Sequence, residues 1–353
     1  MQVEGKNIRQ ADIADKLHIS RTTVARALAG HNVSEKTRET VLKAAKEMGY
    51  VPNIAAGVLA QKKSKLVYCF IIGTIDEGYA EMMIKGISDT VKNWSDYNYQ
   101  VRIVVTDINQ PGNKCEEQLN QFYQIISDEK PDGIIFSALC LKNLKEISSY
   151  CEKNKIPLMT LDAIHKNADL CHIGSDYYRF GETSAAYLAG LMKKSGRLLT
   201  ISCDEGYNLC TLRMEGFLNR IRKCKKIECL NIDADNISYD TYKKIIQSQV
   251  DTFMPNAIYA PYKMDYVVQI VQELYPEKEF IMISNGINEK IEEYLNQGIL
   301  SGIVSNRPYS LGTCSANNFF NYFYRPLELK RHVLDVGFDI YIKENYSNSK
   351  EIL

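Results

Sequence analysis

From Lys65 onward, short apolar runs alternate with amphipathic stretches, and this rhythm limits the fold more than any other feature of the sequence. The runs LVYCFIIG (66–73), YQVRIVVTD (99–107), DGIIFSAL (132–139) and PLMTLDA (157–163) predict strands, separated by helices at 79–94, 113–127 and 144–154. Strands joined through helices pair in parallel, and near-continuous apolar strands are covered on both faces. The pattern then repeats. A helix at 176–195 leads to strands at 197–203, 227–233, 256–261, 278–284 and 300–307, with helices at 211–223, 238–251, 265–275 and 288–298 between them. A helix at 309–324 and a strand at 333–344 must return to the two halves. The expected body, 66–345, is α/β and two-lobed, each lobe a doubly wound parallel sheet. The lobes take roughly 66–190 with 308–325, and 194–305 with 330–345; 346–353 is a tail. The cleft between such lobes is a natural ligand site.

The first 65 residues follow another pattern. Apolar residues Ile8, Ala11, Ile13, Ala14 and Leu17 recur at helical spacing, and His18-Ile19 breaks the run. Ser20 caps a second helix, 21–30, and Ser34 caps a third, 35–49, stopped by Gly49. Three short helices with a tight first connection make the helix-turn-helix plan, whose second helix enters the DNA major groove. On that helix Arg21, Thr22 and Arg26 point away from Val24 and Leu28. Arginine can fork onto guanine, and threonine can meet a base edge. Ser20, Thr23 and Ser34 stand at helix starts, where hydroxyls and amides meet phosphates; Asn32 joins the expected DNA contacts. Charge agrees. Net charge over the whole chain is zero, yet residues 1–65 carry 12 basic and 6 acidic side chains while the remainder carries 31 and 37.

Other classes find little support. None of the ten cysteines lies in a C-x-x-C pair, so no metal-ligand spacing is present and no cofactor is expected. The polar opening MQVEGKNIRQ is no export signal, and no apolar run approaches the ~18 residues of a membrane span. Free thiols without an export signal suit a cytoplasmic protein. No G-x-G-x-x-G, G-x-x-x-x-G-K-[ST] or G-x-S-x-G appears, which argues against an enzyme.

The string DIADKLHISRTTVARALAGHNVSEKTRETVLKAAKEMGYVPNIAAGVL resembles the LacI family of bacterial transcription regulators. The elements that carry the likeness are D-I-A (12–14), S-R-T-T-V-A-R (20–26), V-S-E-K-T-R (33–38) and G-Y-V-P-N (49–53). The resemblance implies a helix-turn-helix domain over 1–52 and a hinge helix and linker over 53–65. In the family the hinge orders on operator DNA. Asn53 caps or contacts the backbone there, and Leu59 stands where a leucine wedges into the minor groove. Gly57 departs from the family's longer residue and weakens that helix.

The body resembles the family's periplasmic-binding-protein-like effector domain. Its anchors are Gly174-Ser175-Asp176 with Gly181, and Arg213 with Gly216-Phe217. By that likeness Asp176 and Arg213 are the best effector contacts, a carboxylate and a guanidinium facing across the cleft. Tyr79, after the first strand, takes an aromatic position on the rim. Tyr207 and Tyr262 lie in loops after strands, and Asn306 and Arg307 follow the last strand. The chain also departs from the pattern. Pro261-Tyr262 replaces an Asn-Asp pair, and Ile283-Ser284-Asn285-Gly286-Ile287 replaces V-G-F-D-D, leaving Asn285 near a lost aspartate. The expectation is a homodimeric repressor that binds double-stranded operator DNA, makes no membrane contact and answers to a small-molecule effector, a sugar or sugar derivative. The alternative keeps the regulator but gives control of a degenerate cleft to a partner protein or a non-sugar metabolite.

Overall fold

The computed structural model describes residues 8–29, 33–50, 64–73, 77–108, 112–162, 170–202, 208–234, 238–325 and 333–349. Near the N-terminus lie α1 (Gln10–Leu17), α2 (Arg21–Ala29) and α3 (Glu35–Glu47). His18 ends α1 in a left-handed conformation (φ 54°), which turns the chain within two residues of Ser20. Ser20 Oγ then accepts the N–H of Thr23 at 3.0 Å, and Ser34 Oγ accepts that of Thr37 at 3.2 Å. Each serine thereby satisfies an amide that its helix leaves open. Ile13, Val24, Ala27 and Val41, none more than 1% exposed, knit the three helices together.

The body holds two six-stranded sheets. The first contains β1 (Lys65–Gly73), β2 (Tyr99–Asp107), β3 (Gly133–Phe136), β4 (Leu158–Leu161), β5 (Cys171–Gly174) and β11 (Val333–Asp335), in the order β11-β5-β4-β3-β1-β2. The second contains β6 (Ser195–Ser202), β7 (Lys226–Asp233), β8 (Ala257–Tyr259), β9 (Ile281–Asn285), β10 (Gly302–Asn306) and β12 (Phe338–Tyr341), in the order β12-β10-β9-β8-β6-β7. Pairing is parallel from β11 to β1 and from β7 to β10; β12 runs antiparallel to β10.

Helices α4 (Glu77–Asn93), α5 (Lys114–Asp128) and α6 (Leu141–Asn154) follow strands of the first sheet. Helices α7 (Tyr177–Leu191), α8 (Asn208–Ile221), α9 (Tyr239–Phe253), α10 (Met264–Leu274) and α11 (Glu289–Asn296) belong to the second. Successive strand residues point to opposite faces, and both faces of the second sheet are buried. Leu199, Ile258 and Ile303 pack with Ile246 and Val267 on one side. Leu198, Tyr259 and Val304 pack with Phe180, Leu188 and Phe217 on the other.

The chain crosses between lobes three times: after β5, after β10 where α12 (Pro308–Tyr324) returns to α4, and between β11 and β12. These crossings are tied to one another. Val336 N–H donates to the Gly174 carbonyl at 3.0 Å, and Ser175 Oγ donates to the Gly337 carbonyl at 3.0 Å. Arg307 grips Asp339 with two nitrogens and donates to the Val336 carbonyl at 3.2 Å.

Three details differ from the expectation. The packing of Phe180, Ala185 and Leu188 places α7 in the second lobe, so the first crossing falls at 175–176 and not near 190. The strand expected over 333–344 divides at Gly337, whose φ of 70° bends the backbone, and each half joins a different sheet. Part of the expected tail is helical, α13 (Lys343–Ser349), and buries Tyr346 in the second lobe's core.

Candidate functional site

In the N-terminal domain, burial of Val24 and Ala27 turns Arg21, Thr22 and Arg26 outward, and all three are exposed. Neither arginine forms an ion pair among the described residues. Thr23 is committed to the cap, its hydroxyl 2.8 Å from Ser20 Oγ, and Ser34 Oγ lies 2.7 Å from the hydroxyl of Thr37. The outward face of α2 therefore offers two unpaired guanidiniums and one hydroxyl, a donor set suited to base edges and phosphates. Asn32, Asn53, Leu59 and Tyr207 lie outside the described residues.

The body gathers its chemistry around Asp162, the residue after β4. Asp162 takes a positive φ (62°), uncommon for a residue with a Cβ, and is 8% exposed. Tyr177, in the first turn of α7, donates its hydroxyl proton to Asp162 Oδ1. Asn306, the last residue of β10, donates from Nδ2 to the Tyr177 oxygen at 3.1 Å. Because the phenol proton is spent on Asp162, that oxygen is an acceptor here. The Asn306 amide must therefore present its N–H there, and its Oδ1 is left buried without a partner among the described residues.

Arg213, from α8, lays its guanidinium 4.7 Å from the ring centroids of both Tyr177 and Phe180. Its Nε is buried and has no partner among the described residues. Tyr79, on α4, sets its hydroxyl beside Tyr177 and Asp162 without a well-shaped hydrogen bond to either. Three buried polar atoms, Tyr79 Oη, Arg213 Nε and Asn306 Oδ1, thus border one carboxyl–phenol pair. Each such atom costs about 1–3 kcal/mol when left unsatisfied, and native interiors hold few of them. They come from the first lobe, the second lobe and a crossing segment, so a ligand bonding all three would join the lobes.

Burial sets the protonation states. It raises the Asp162 carboxyl above its ordinary range, although the bond from Tyr177, the nearby Tyr79 hydroxyl and the charge of Arg213 pull the other way. Burial, then the Asp162 charge, pushes the Tyr79 and Tyr177 phenols well up, so both are neutral donors. A raised folded-state pKa means that Asp162's stabilising contribution is complete below the unfolded carboxylate range, about pH 3.9, and is lost as pH climbs through the folded value. Asp162→Asn keeps an acceptor for Tyr177 and removes the charge. It is expected to raise the melting temperature at neutral pH and to flatten the decline above pH ~4. Unfolding scans across pH check this; a lower melting temperature at every pH would show that Arg213 more than offsets the cost of burial.

The other expected effector residues are committed elsewhere or lie apart. Asp176 does not face Arg213. As N-cap of α7 it accepts the Arg179 N–H at 3.0 Å and lies 3.5 Å from Arg179 Nε, because the residue before a helix is placed to satisfy an open amide. Arg307 is held at the crossing by Asp339. Asn285 accepts the Tyr259 hydroxyl at 2.5 Å and donates to Ser184 Oγ at 3.1 Å, which ties β8, β9 and α7 together. Tyr262 follows β8 and lies under Lys263 Nζ, 5.2 Å from the ring centroid. Tyr79, Arg213 and Asn306 are the three that the fold brings together. Asp162 and Tyr177 were not anticipated, although Asp162 follows a parallel strand, and ligands of open α/β sheets bind beyond the carboxyl ends of strands.

Comparison with known proteins agrees with both halves. Residues 67–322 match the periplasmic binding protein domain, and residues 11–53 match the bacterial regulatory proteins of the lacI family. The chain is 27% identical over 215 residues to the NTD biosynthesis operon regulator NtdR of Bacillus subtilis (strain 168), which covers 60% of each chain. It is 25% identical over 249 residues to the HTH-type transcriptional repressor CytR of Escherichia coli (strain K12), covering 69% of this chain and 68% of that one. The match thus spans three-fifths of the first relative's length and about two-thirds of the second's. The first of these relatives is an operon regulator and the second a transcriptional repressor. The fold is that of GanP, a glucose-galactose binding protein from Geobacillus stearothermophilus, with a TM-score of 0.68 at 18% identity over 81% of this chain and 99% of that one. With 67–322 matched, the chain belongs to the periplasmic binding protein domain family, and it carries at its N-terminus a domain of the bacterial regulatory proteins of the lacI family.

Proposed function

We propose that this protein is a cytoplasmic, homodimeric repressor that reads operator DNA with α2 and is controlled by a neutral, polyhydroxylated effector held between its lobes. The observation that carries the effector reading is the set of unsatisfied buried atoms around Asp162 and Tyr177. Arg213 Nε can only donate, Asn306 Oδ1 can only accept, and the Tyr79 hydroxyl can do both. Neighbouring hydroxyl groups on one ligand answer all three. A carboxylate or phosphate group at this place supplies acceptors alone and meets the Asn306 oxygen and the Asp162 carboxyl unfavourably. A sugar or sugar derivative fits, and the glucose-galactose binding protein of the same fold is consistent with that chemistry. No helix among the described residues is long and apolar enough to cross a membrane. Ligand that bonds both lobes favours one lobe orientation and so biases the DNA-competent state.

The test is a thermal-shift panel of neutral mono- and oligosaccharides beside the corresponding uronic acids and sugar phosphates. Ligand at 100 times its dissociation constant stabilises the native state by about 2.7 kcal/mol. A shift with neutral compounds is expected; a shift with the acids alone overturns the effector class, and no shift in any arm favours control by a partner protein. For the DNA half, Arg26→Ala is expected to weaken operator binding by about 1–3 kcal/mol and to relax preference at one base pair. Selection from random duplexes reads both effects, and an unchanged preference removes Arg26 from base readout.

A further inference from the structure

Two thiols meet in the first lobe, outside the Asp162 cluster. Cys115 lies in the first turn of α5, and Cys140 occupies the N-cap of α6, where its sulfur makes no cap bond. Their sulfhydryls are hydrogen-bond neighbours. Both are partly exposed, whereas Cys69, Cys151 and Cys171 are buried. The backbone holds them in place. Gln118, fully buried and one turn beyond Cys115, donates to the Ser137 carbonyl at 2.9 Å and accepts the Leu139 N–H at 3.1 Å. Asn143, one turn beyond Cys140, donates to the Cys115 carbonyl at 2.8 Å and to Gln118 Oε1 at 3.1 Å. The segment before Cys140 and the turn carrying Cys115 are therefore clamped to each other by side chains that take no part in the effector site.

We propose that Cys115 and Cys140 form a redox-reactive dithiol, closed to an intramolecular disulfide by hydroperoxides. The proposal is independent of the effector reading. Burial, then the hydrogen bond with Cys140, pushes the Cys115 thiol up to about 12, so it remains protonated at neutral pH. Cys140, partly exposed at the N-cap of α6, is the attacking group. Its thiolate attacks one peroxide oxygen, the O–O bond breaks, and the departing oxygen takes up the proton that Cys140 lost and leaves as water or alcohol. Cys140 is then a sulfenic acid. The sulfur of Cys115 attacks it; the S–S bond forms, the S–O bond breaks, and water leaves with the Cys115 proton. Two thiols are oxidised by two electrons and one peroxide is reduced. Disulfide sulfurs sit about 2.05 Å apart, so side-chain rotation within this clamp must bring the thiols together.

The experiment treats reduced full-length protein with hydrogen peroxide under native conditions, alkylates the remaining thiols, and maps peptides without reduction. The expected product is a 115–140 cross-linked peptide that has lost two hydrogens and returns to free thiols with dithiothreitol. Cys115→Ser is expected to stop at a Cys140 sulfenic acid that dimedone captures; Cys140→Ser is expected to leave Cys115 alkylatable. The wild-type map decides by itself even if a variant folds poorly. Both cysteines still alkylated after excess peroxide, or Cys140 carried to sulfinic acid with no cross-link, overturns the proposal.

Discussion

Replacing Arg213 with alanine is expected to abolish the response to effector while leaving operator affinity unchanged. The guanidinium is the cation of the cluster, set against Tyr177 and Phe180, with a buried Nε that has no partner among the described residues. Truncating one partner of a buried, hydrogen-bonded charge contact costs about 2–5 kcal/mol. At about 1.4 kcal/mol per tenfold, effector affinity falls by at least about 25-fold. The operator contacts proposed above are on α2, in a domain with its own core, and the substitution leaves them untouched. Arg213→Lys separates charge from shape: an ammonium keeps the positive charge but neither lies flat between the two rings nor presents a planar fork. It is expected to bind effector between wild type and alanine, nearer to alanine. Calorimetric titration with the best compound of the thermal-shift panel measures the first effect, and operator gel shifts measure the second. An alanine variant with wild-type ligand affinity removes Arg213 from the site. Loss of operator binding as well would mean that the substitution had unfolded the chain.

Much of this arrangement is legible in local sequence, and the reasons differ for what is not. The three N-terminal helices follow from apolar spacing and from Ser20 and Ser34, because caps and amphipathic faces are local features. The strands of both sheets follow from apolar runs. β5 leaves no such run, because Cys171–Gly174 is only four residues long and carries His172 in its middle. The lobe that owns α7 is decided by contacts of Phe180 and Leu188 with Leu198 and Phe217, which no periodicity reports. The same holds for the cluster. Asp176 and Asp162 are both aspartates beside strand ends, and the G-S-D string favours the first. Tertiary burial selects the second, since Asp176 is drawn off to cap α7. Arg307 looked free in sequence because its partner, Asp339, stands 32 residues away beyond a crossing.

Gly181 and Gly216 explain why two of the anchors around Arg213 are glycines, and they lead to the second large effect. A Cβ added at Gly181 would lie 1.9 Å from the Arg213 carbonyl oxygen, and one at Gly216 would lie 2.0 Å from that of Tyr178. Both obstacles are backbone, so no rotamer change relieves them, and α7 and α8 must move apart. Overpacking of this kind costs about 1–3 kcal/mol and occasionally more, against a gain in helix propensity of about 1 kcal/mol. A methyl group overlapping backbone this deeply belongs at or beyond the upper end, so Gly181→Ala is expected to lose about 2 kcal/mol net. At about 2–4 °C per kcal/mol for a domain of this size, the melting temperature falls by several degrees. Because the displaced carbonyl belongs to Arg213, effector affinity should fall in parallel. Gly190 is the control on the same helix: nothing lies within 4 Å of its added Cβ, so Gly190→Ala should be neutral or stabilising. The double variant Gly181→Ala/Gly216→Ala should cost less than the sum of its parts, since separation forced by one methyl makes room for the other. Thermal unfolding of the four variants measures all of this, and equal stability of Gly181→Ala and Gly190→Ala would mean that the crossing of α7 and α8 does not hold Arg213 in place.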